Sequence, residues 1–198
     1  MTNLSQQMAF IREIDKLKSI VRHSKLIDNS RKENTAEHSW HVAMMALTLA
    51  EHANEAIDIN KVIKILILHD IVEIDAGDVL AYTHDPEKAR REQKAADRIF
   101  GLLPDHQARE YRDIWNEYEA CNTPESRFAM ALDRLMPMIH NYESGGETWK
   151  KNNIDAGMVL KRNACIEDGS AKLWEFAKNM VDRAVQEGCL APDTQERL

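Results

Sequence analysis

Apolar residues recur along the chain at the three- and four-residue spacing of amphipathic helices, separated by short polar punctuation. Phe10, Ile11, Ile14, Leu17 and Val21 define a first helix, followed by a polar stretch from His23 to Asn34. Asn34, with Glu37 three residues later, forms a capping-box pair that opens a second helix. That helix carries Val42, Met45, Leu49 and Ala53 on one face. Asn60 is placed to cap the next helix, which is apolar on most sides through Val62, Ile63, Ile65, Leu66, Ile67 and Leu68. Such a helix belongs at the centre of the molecule, and Gly77 is suited to end it. Asp85-Pro86 and Thr123-Pro124 each read as an N-cap followed by proline at the first helical position. Pro104 begins a helix through Tyr111, Ile114, Trp115 and Tyr118. Another runs from Thr123 to about Tyr142, where Gly145-Gly146 breaks the chain, and Ser170 caps a last helix closed by Gly188. The expected fold is all-α: a single-domain helical bundle over residues 1–198, with a core at about 17–149 and a C-terminal helical extension at about 150–188. Only 7 Gly and 5 Pro support this, since strand-rich folds need many turns.

Composition narrows the class. A net charge of −7 does not suit a protein that grips nucleic-acid polymers, although a local site can still take a small phosphorylated molecule. Cys121, Cys165 and Cys189 are widely spaced and read as free thiols in a reducing, cytoplasmic setting. The stretch Val62 to Leu68 is too short to span a bilayer, so no membrane association is expected.

The chemistry concentrates in His69-Asp70-Ile71-Val72-Glu73, on the most apolar helix. A buried His and Asp side by side are costly to desolvate without partners. A divalent ion satisfies both, and Mn, Co, Mg, Ni, Zn or Fe fits such ligands. Glu73, four residues after His69, falls on the same helical face, where a group that orients or deprotonates water belongs. His38 shares the core stripe of its helix with Val42, and Asp133 sits among Phe128, Leu132, Leu135 and Met136. Pro137, four residues on, removes the helical partner of the Asp133 carbonyl, so a kink is expected there.

The ordered set His38, His69-Asp70, Asp133 resembles the H…HD…D signature of the HD-domain superfamily. The run Asn34 to Ser39, then His69 to Glu73, Gly77-Asp78 and Asp133-Arg-Leu, is similar to its 5′-deoxynucleotidase branch from about Leu17 to about Trp149. The resemblance implies an HD-type helical bundle and one divalent metal held by His38, His69, Asp70 and Asp133. It implies hydrolysis of nucleoside 5′-monophosphates to nucleoside and phosphate, with Glu73 as acid/base. Arg22 or Arg31 takes the place of a phosphate-binding arginine; Arg22 is preferred because it ends the first helix. Asp78 contacts sugar or phosphate, and Glu117 falls where relatives carry a glutamate. The chain departs from the branch at His23, where a tryptophan that selects deoxyribose is expected, and at Leu80-Ala81, in place of proline-threonine. Relatives also make a homodimer plausible. Two other readings stay open: hydrolysis of another small phosphorylated metabolite, by a phosphatase or phosphodiesterase, and a metal-bound nucleotide sensor with weak turnover. A two-metal centre would need further histidines in register with His69-Asp70, and none is present.

Overall fold

The computed structural model describes residues 2–78 and 85–193. Leu80 and Ala81, where the chain departs from the branch, lie outside the described residues. Among the described residues the fold is mostly helical, with one small antiparallel hairpin. The first helix, α1 (Asn3–Ile14), is shorter than its periodicity suggests. A 3₁₀ turn over Asp15–Ser19 continues the helical spacing without continuing the α-helix. The chain then extends into β1 (Val21–Lys25) and returns in β2 (Lys32–Asn34), with Val21 opposite Asn34 and Lys25 opposite Lys32. Asn29, in the left-handed region at φ 60°, closes the turn, a conformation that asparagine tolerates well. Arg22 therefore sits in a strand and not at a helix end.

Asn34 ends β2 and caps α2 (Thr35–Leu49) with Glu37 in the expected reciprocal capping box. The central helix, α3 (Ile59–Leu68), is capped by Asp58, whose carboxylate accepts from the amides of Asn60 and Lys61. Asn60, expected as the cap, is one of the amides being capped; the carboxylate two residues earlier reaches both donors. α3 does not continue to Gly77. It stops at Leu68, and tight turns carry the chain to the short α4 (Glu73–Ala76), which Gly77 ends at φ 74°. α5 (Lys88–Phe100) begins after Glu87, so Asp85 works one step earlier, accepting from the Glu87 amide. α6 (Asp105–Ala120) follows Pro104, and α7 (Pro124–Glu143) opens on a Thr123–Ser126 capping box and is a continuous helix through Pro137. The short α8 (Glu147–Lys151), α9 (Ala156–Asn163) and α10 (Ile166–Gly169) lead to α11 (Ala171–Gln186), capped by Ser170.

Fully buried Val62, Ile65 and Leu66 place α3 at the centre, against α2, α6 and α7. The C-terminal helices contribute Val159, Ile166, Trp174 and Met180 to the same core. A second cluster forms where Phe10 of α1 and Leu17 meet Ile99, Phe100 and Trp115 of α5 and α6. Among the described residues no helix is long and apolar enough to cross a membrane.

Candidate active site

Between the two clusters, four side chains from three helical segments converge. His38 is on α2, His69 and Asp70 lie where α3 ends, and Asp133 is on α7. The break in α3 has a tertiary cause. The His69 amide closes the helix on the Ile65 carbonyl at 2.9 Å, while the His69 carbonyl accepts from the Trp115 indole N–H at 3.1 Å. A carbonyl engaged by a side chain of α6 leaves the helical ladder, and the turn that follows carries Asp70 into the site.

His38 Nε2 lies 2.9 Å from Asp133 Oδ1 and 3.9 Å from Asp70 Oδ2. His69 Nε2 lies 3.1 Å from Asp70 Oδ2 and 3.5 Å from Asp133 Oδ1. All four ligand atoms fall within 4.8 Å of one another. Tetrahedral coordination with bonds of about 2.0–2.2 Å needs ligand separations of about 3.3–3.6 Å, so the set fits a divalent ion. His69 Nδ1 faces the Leu66 carbonyl at 2.8 Å, which fixes its proton there and frees Nε2, a buried atom with no hydrogen-bond partner. Tyr118 donates its hydroxyl to Asp133 Oδ2 at 2.9 Å, leaving Oδ1 for the cluster. Burial and the Asp133 carboxylate hold the Tyr118 pKa well above its usual value, so it remains a donor. Burial alone would raise the Asp70 pKa, but His69 and Arg22 outweigh it and hold it below the carboxylate range. Asp133 is lowered in the same way against burial by its bonds to His38 and His69.

Arg22 and Glu73 adjoin this cluster. Arg22 Nη1 donates to Asp70 Oδ2 at 2.6 Å and stands 3.8 Å from Glu73 Oε1. Burial disfavours the Arg22 charge, but Asp70, Glu73, Asp133 and Asp78 more than offset it. Glu73 is buried, accepts from Thr35 Oγ1 at 2.8 Å, and is pushed up to about 8 by burial and by the Asp70 charge. It reaches this place from the start of α4, across the break, and not along one continuous helical face from His69. Asp78 accepts from the backbone amide of His23 at 3.0 Å, tying the segment after α4 to β1.

These groups line a cavity of about 610 Å³, whose wall also includes Glu92, Glu119, Arg134, Thr148, Trp149 and Arg162. The C-terminal helices thus help to wall the site, which the sequence pattern did not indicate. Two expected contributors lie elsewhere. Arg31 is exposed and forms a bidentate pair with Glu37, which is why it cannot also face the cluster. Glu117 bonds Thr123 and pairs with Lys61 at 2.7 Å, away from the cavity wall. Its neighbour Tyr118 is the residue of α6 that reaches the cluster. The register held the signal: Trp115 and Tyr118 are three apart on the buried face, and Glu117 is off it. Arg134, adjacent to Asp133, supplies a second guanidinium, with a buried Nε that has no partner.

Scaffold and cluster together define a helical protein with a buried centre of two histidines and two carboxylates. The chain belongs to the HD-domain family, whose sequence model matches residues 14–174. It is 31% identical over 147 residues to the 5′-deoxynucleotidase HDDC2 of Danio rerio, covering 71% of each chain. It is 31% identical over 140 residues to the 5′-deoxynucleotidase HDDC2 of Bos taurus, covering 69% of this chain and 66% of that one. A crystal structure of a predicted metal-dependent phosphohydrolase from Magnetospirillum magnetotacticum superposes with a TM-score of 0.93 at 53% identity, covering 96% of both chains.

Proposed function

We propose that the protein is a metal-dependent phosphohydrolase that releases phosphate from nucleoside 5′-monophosphates, deoxynucleotides among them. The observation that carries this reading is the convergence of four ligand atoms on one point beside a buried arginine and a protonatable carboxyl. His38, His69, Asp70 and Asp133 would hold one divalent ion. Bound there, the ion supplies Lewis acidity toward a phosphoryl oxygen and makes water a better nucleophile. Arg22 offers fixed N–H donors to phosphoryl oxygens, where phosphoryl transfer gathers charge. Glu73 orients the attacking water and takes up its proton, as a carboxylate within 3.8 Å of Arg22 and beside the proposed ion can. Asp78 holds β1, and with it Arg22 and His23, against the segment after α4. The names of the curated relatives favour the nucleotide among phosphomonoesters.

The reading extends to two coarser properties. Three free thiols, Cys121, Cys165 and Cys189, favour a cytoplasmic setting. Exposed Trp40, Met44 and Leu47 form an apolar stripe along α2 that suits a second copy of the chain, which light scattering at micromolar concentration checks.

The direct test adds Mn, Co, Mg or Zn to metal-stripped protein and measures phosphate release from ribo- and deoxyribonucleoside 5′-monophosphates. Metal-dependent release that Asp70→Asn abolishes is the expected result. Binding of one ion without release from any nucleotide would move the substrate elsewhere and favour a sensor.

A further inference from the structure

Glu33, at the centre of β2, was not singled out by any motif, yet it is 2% exposed. A buried carboxylate is costly unless cationic or donor groups face it. Three nitrogens face its Oε2: His38 Nδ1 at 3.5 Å, His140 Nδ1 at 3.7 Å and Arg22 Nε at 3.8 Å. All three are buried atoms with no hydrogen-bond partner. Buried donors are rarely left unpaired in folded proteins, so one acceptor shared by three of them is a built arrangement. His38 shows what it accomplishes. Its Nε2 points into the cluster of His69, Asp70 and Asp133, and its Nδ1 points the other way, to Glu33. Ligating histidines commonly give their second ring N–H to a carboxylate, which fixes the tautomer and raises the basicity of the ligating nitrogen. His69 uses the Leu66 carbonyl for this purpose, a neutral acceptor. His38 has a charged one.

Resting on the metal-dependent reading above, we propose that Glu33 is a positioning residue. It holds the Nδ1 proton of His38 so that Nε2 is presented to the divalent ion, and it steadies Arg22 through Nε while Nη1 works at Asp70. One carboxylate thereby ties a metal ligand on α2 and the phosphate-facing arginine of β1 to a common point. His140, whose pKa burial lowers, packs against the same carboxylate as a neutral donor. His41 completes a loose group with Glu33 and His140. The proposal differs from a second cation site there, because it leaves the bound ion count at one.

The test compares full-length wild type with Glu33→Gln, nearly isosteric and uncharged. Zinc affinity by chelator competition and metal stoichiometry are measured, together with the ring N–H proton of His38 by NMR of the zinc-loaded protein. The expected results are one ion per chain in both, an affinity about 10–100-fold weaker in Glu33→Gln, and an upfield-shifted, faster-exchanging His38 Nδ1 proton. Unchanged metal-free melting in the variant separates this from general loss of packing. Equal affinity and an unmoved His38 proton overturn the proposal while leaving the phosphohydrolase reading intact. Two ions in wild type falling to one in the variant would make Glu33 a ligand and also overturn it. Wild type that binds no ion removes both readings together. If Glu33→Gln fails to fold, Glu33→Asp, which keeps the charge at a shorter reach, is expected to retain the His38 proton signal with intermediate zinc affinity; wild-type affinity in that variant overturns the proposal as well.

Discussion

At the scale of single residues, the centre works by dividing the polar atoms of a side chain between an anchor and the cluster. Asp133 splits its oxygens between Tyr118 and the cluster, and each histidine gives one nitrogen to an anchor and the other to the site. Glu73 is the member under most strain, since burial and the Asp70 charge both oppose its ionisation. In metal-stripped protein this has a signed consequence. The folded pKa of about 8 lies above the ordinary 4.5, so between those values the folded chain keeps a proton that the unfolded chain releases. The contribution of Glu73 to stability is complete below pH 4.5 and is lost as pH rises to about 8. Urea midpoints of stripped wild type should therefore fall between pH 5 and 8 more steeply than those of Glu73→Gln. Parallel curves would mean that Glu73 ionises normally. Which residues could be read from the sequence followed a simple rule. Candidate ligands carried by a distinctive dipeptide or a core stripe stood out, as His69-Asp70 and His38 did. Glu33 and Tyr118 act through a partner far along the chain and carry no local mark.

The elements divide along the same line. Helix starts such as Asn34-Glu37, Thr123-Pro124 and Ser170 were legible because a cap satisfies amides within its own turn. The hairpin was not, because its ladder pairs residues 7 to 13 positions apart and the apolar spacing of Phe10, Ile14 and Leu17 runs on through Val21. The end of α3 was hidden for a tertiary reason. Nothing in His69 to Glu73 disfavours a helix; the Trp115 indole on α6 draws off the His69 carbonyl. Trp115→Phe keeps an aromatic ring in the second cluster and removes that donor along with part of the buried ring volume. It should cost about 1–3 kcal/mol of stability, the price of an unpaired buried carbonyl, and weaken metal binding as the turn bearing His69 and Asp70 loosens. Urea unfolding and zinc titration of the variant report the two effects; wild-type values for both would assign the break in α3 to another cause.

For the molecule as a whole, the central feature is an acidic cluster buried where helices from both hydrophobic clusters meet. Asp70, Asp133, Glu73 and Glu33 share a small volume, faced by the guanidinium of Arg22 and bordered by that of Arg134. A divalent ion should therefore stabilise the native chain strongly. At a hundredfold excess over its Kd, binding to the folded state alone contributes about 2.7 kcal/mol, or roughly 5–10 °C in Tm for a chain of this size. Differential scanning calorimetry with and without the ion measures this, and Asp133→Asn should show little shift. A wild-type Tm indifferent to Mn, Co, Ni and Zn would remove the cluster as a metal centre.

His38 and Asp133 stand 95 positions apart in the chain yet 2.9 Å apart in space. An ion joining them would act as a reversible cross-link, enclosing the central helix and α6 in one closed loop. Closing so long a loop costs entropy that grows only slowly with its length, and the bond must be released before the two ends can part. Metal supply would then govern how long the folded chain survives as well as whether it turns over, and a chelator would act on the protein as a reducing agent acts on a disulfide.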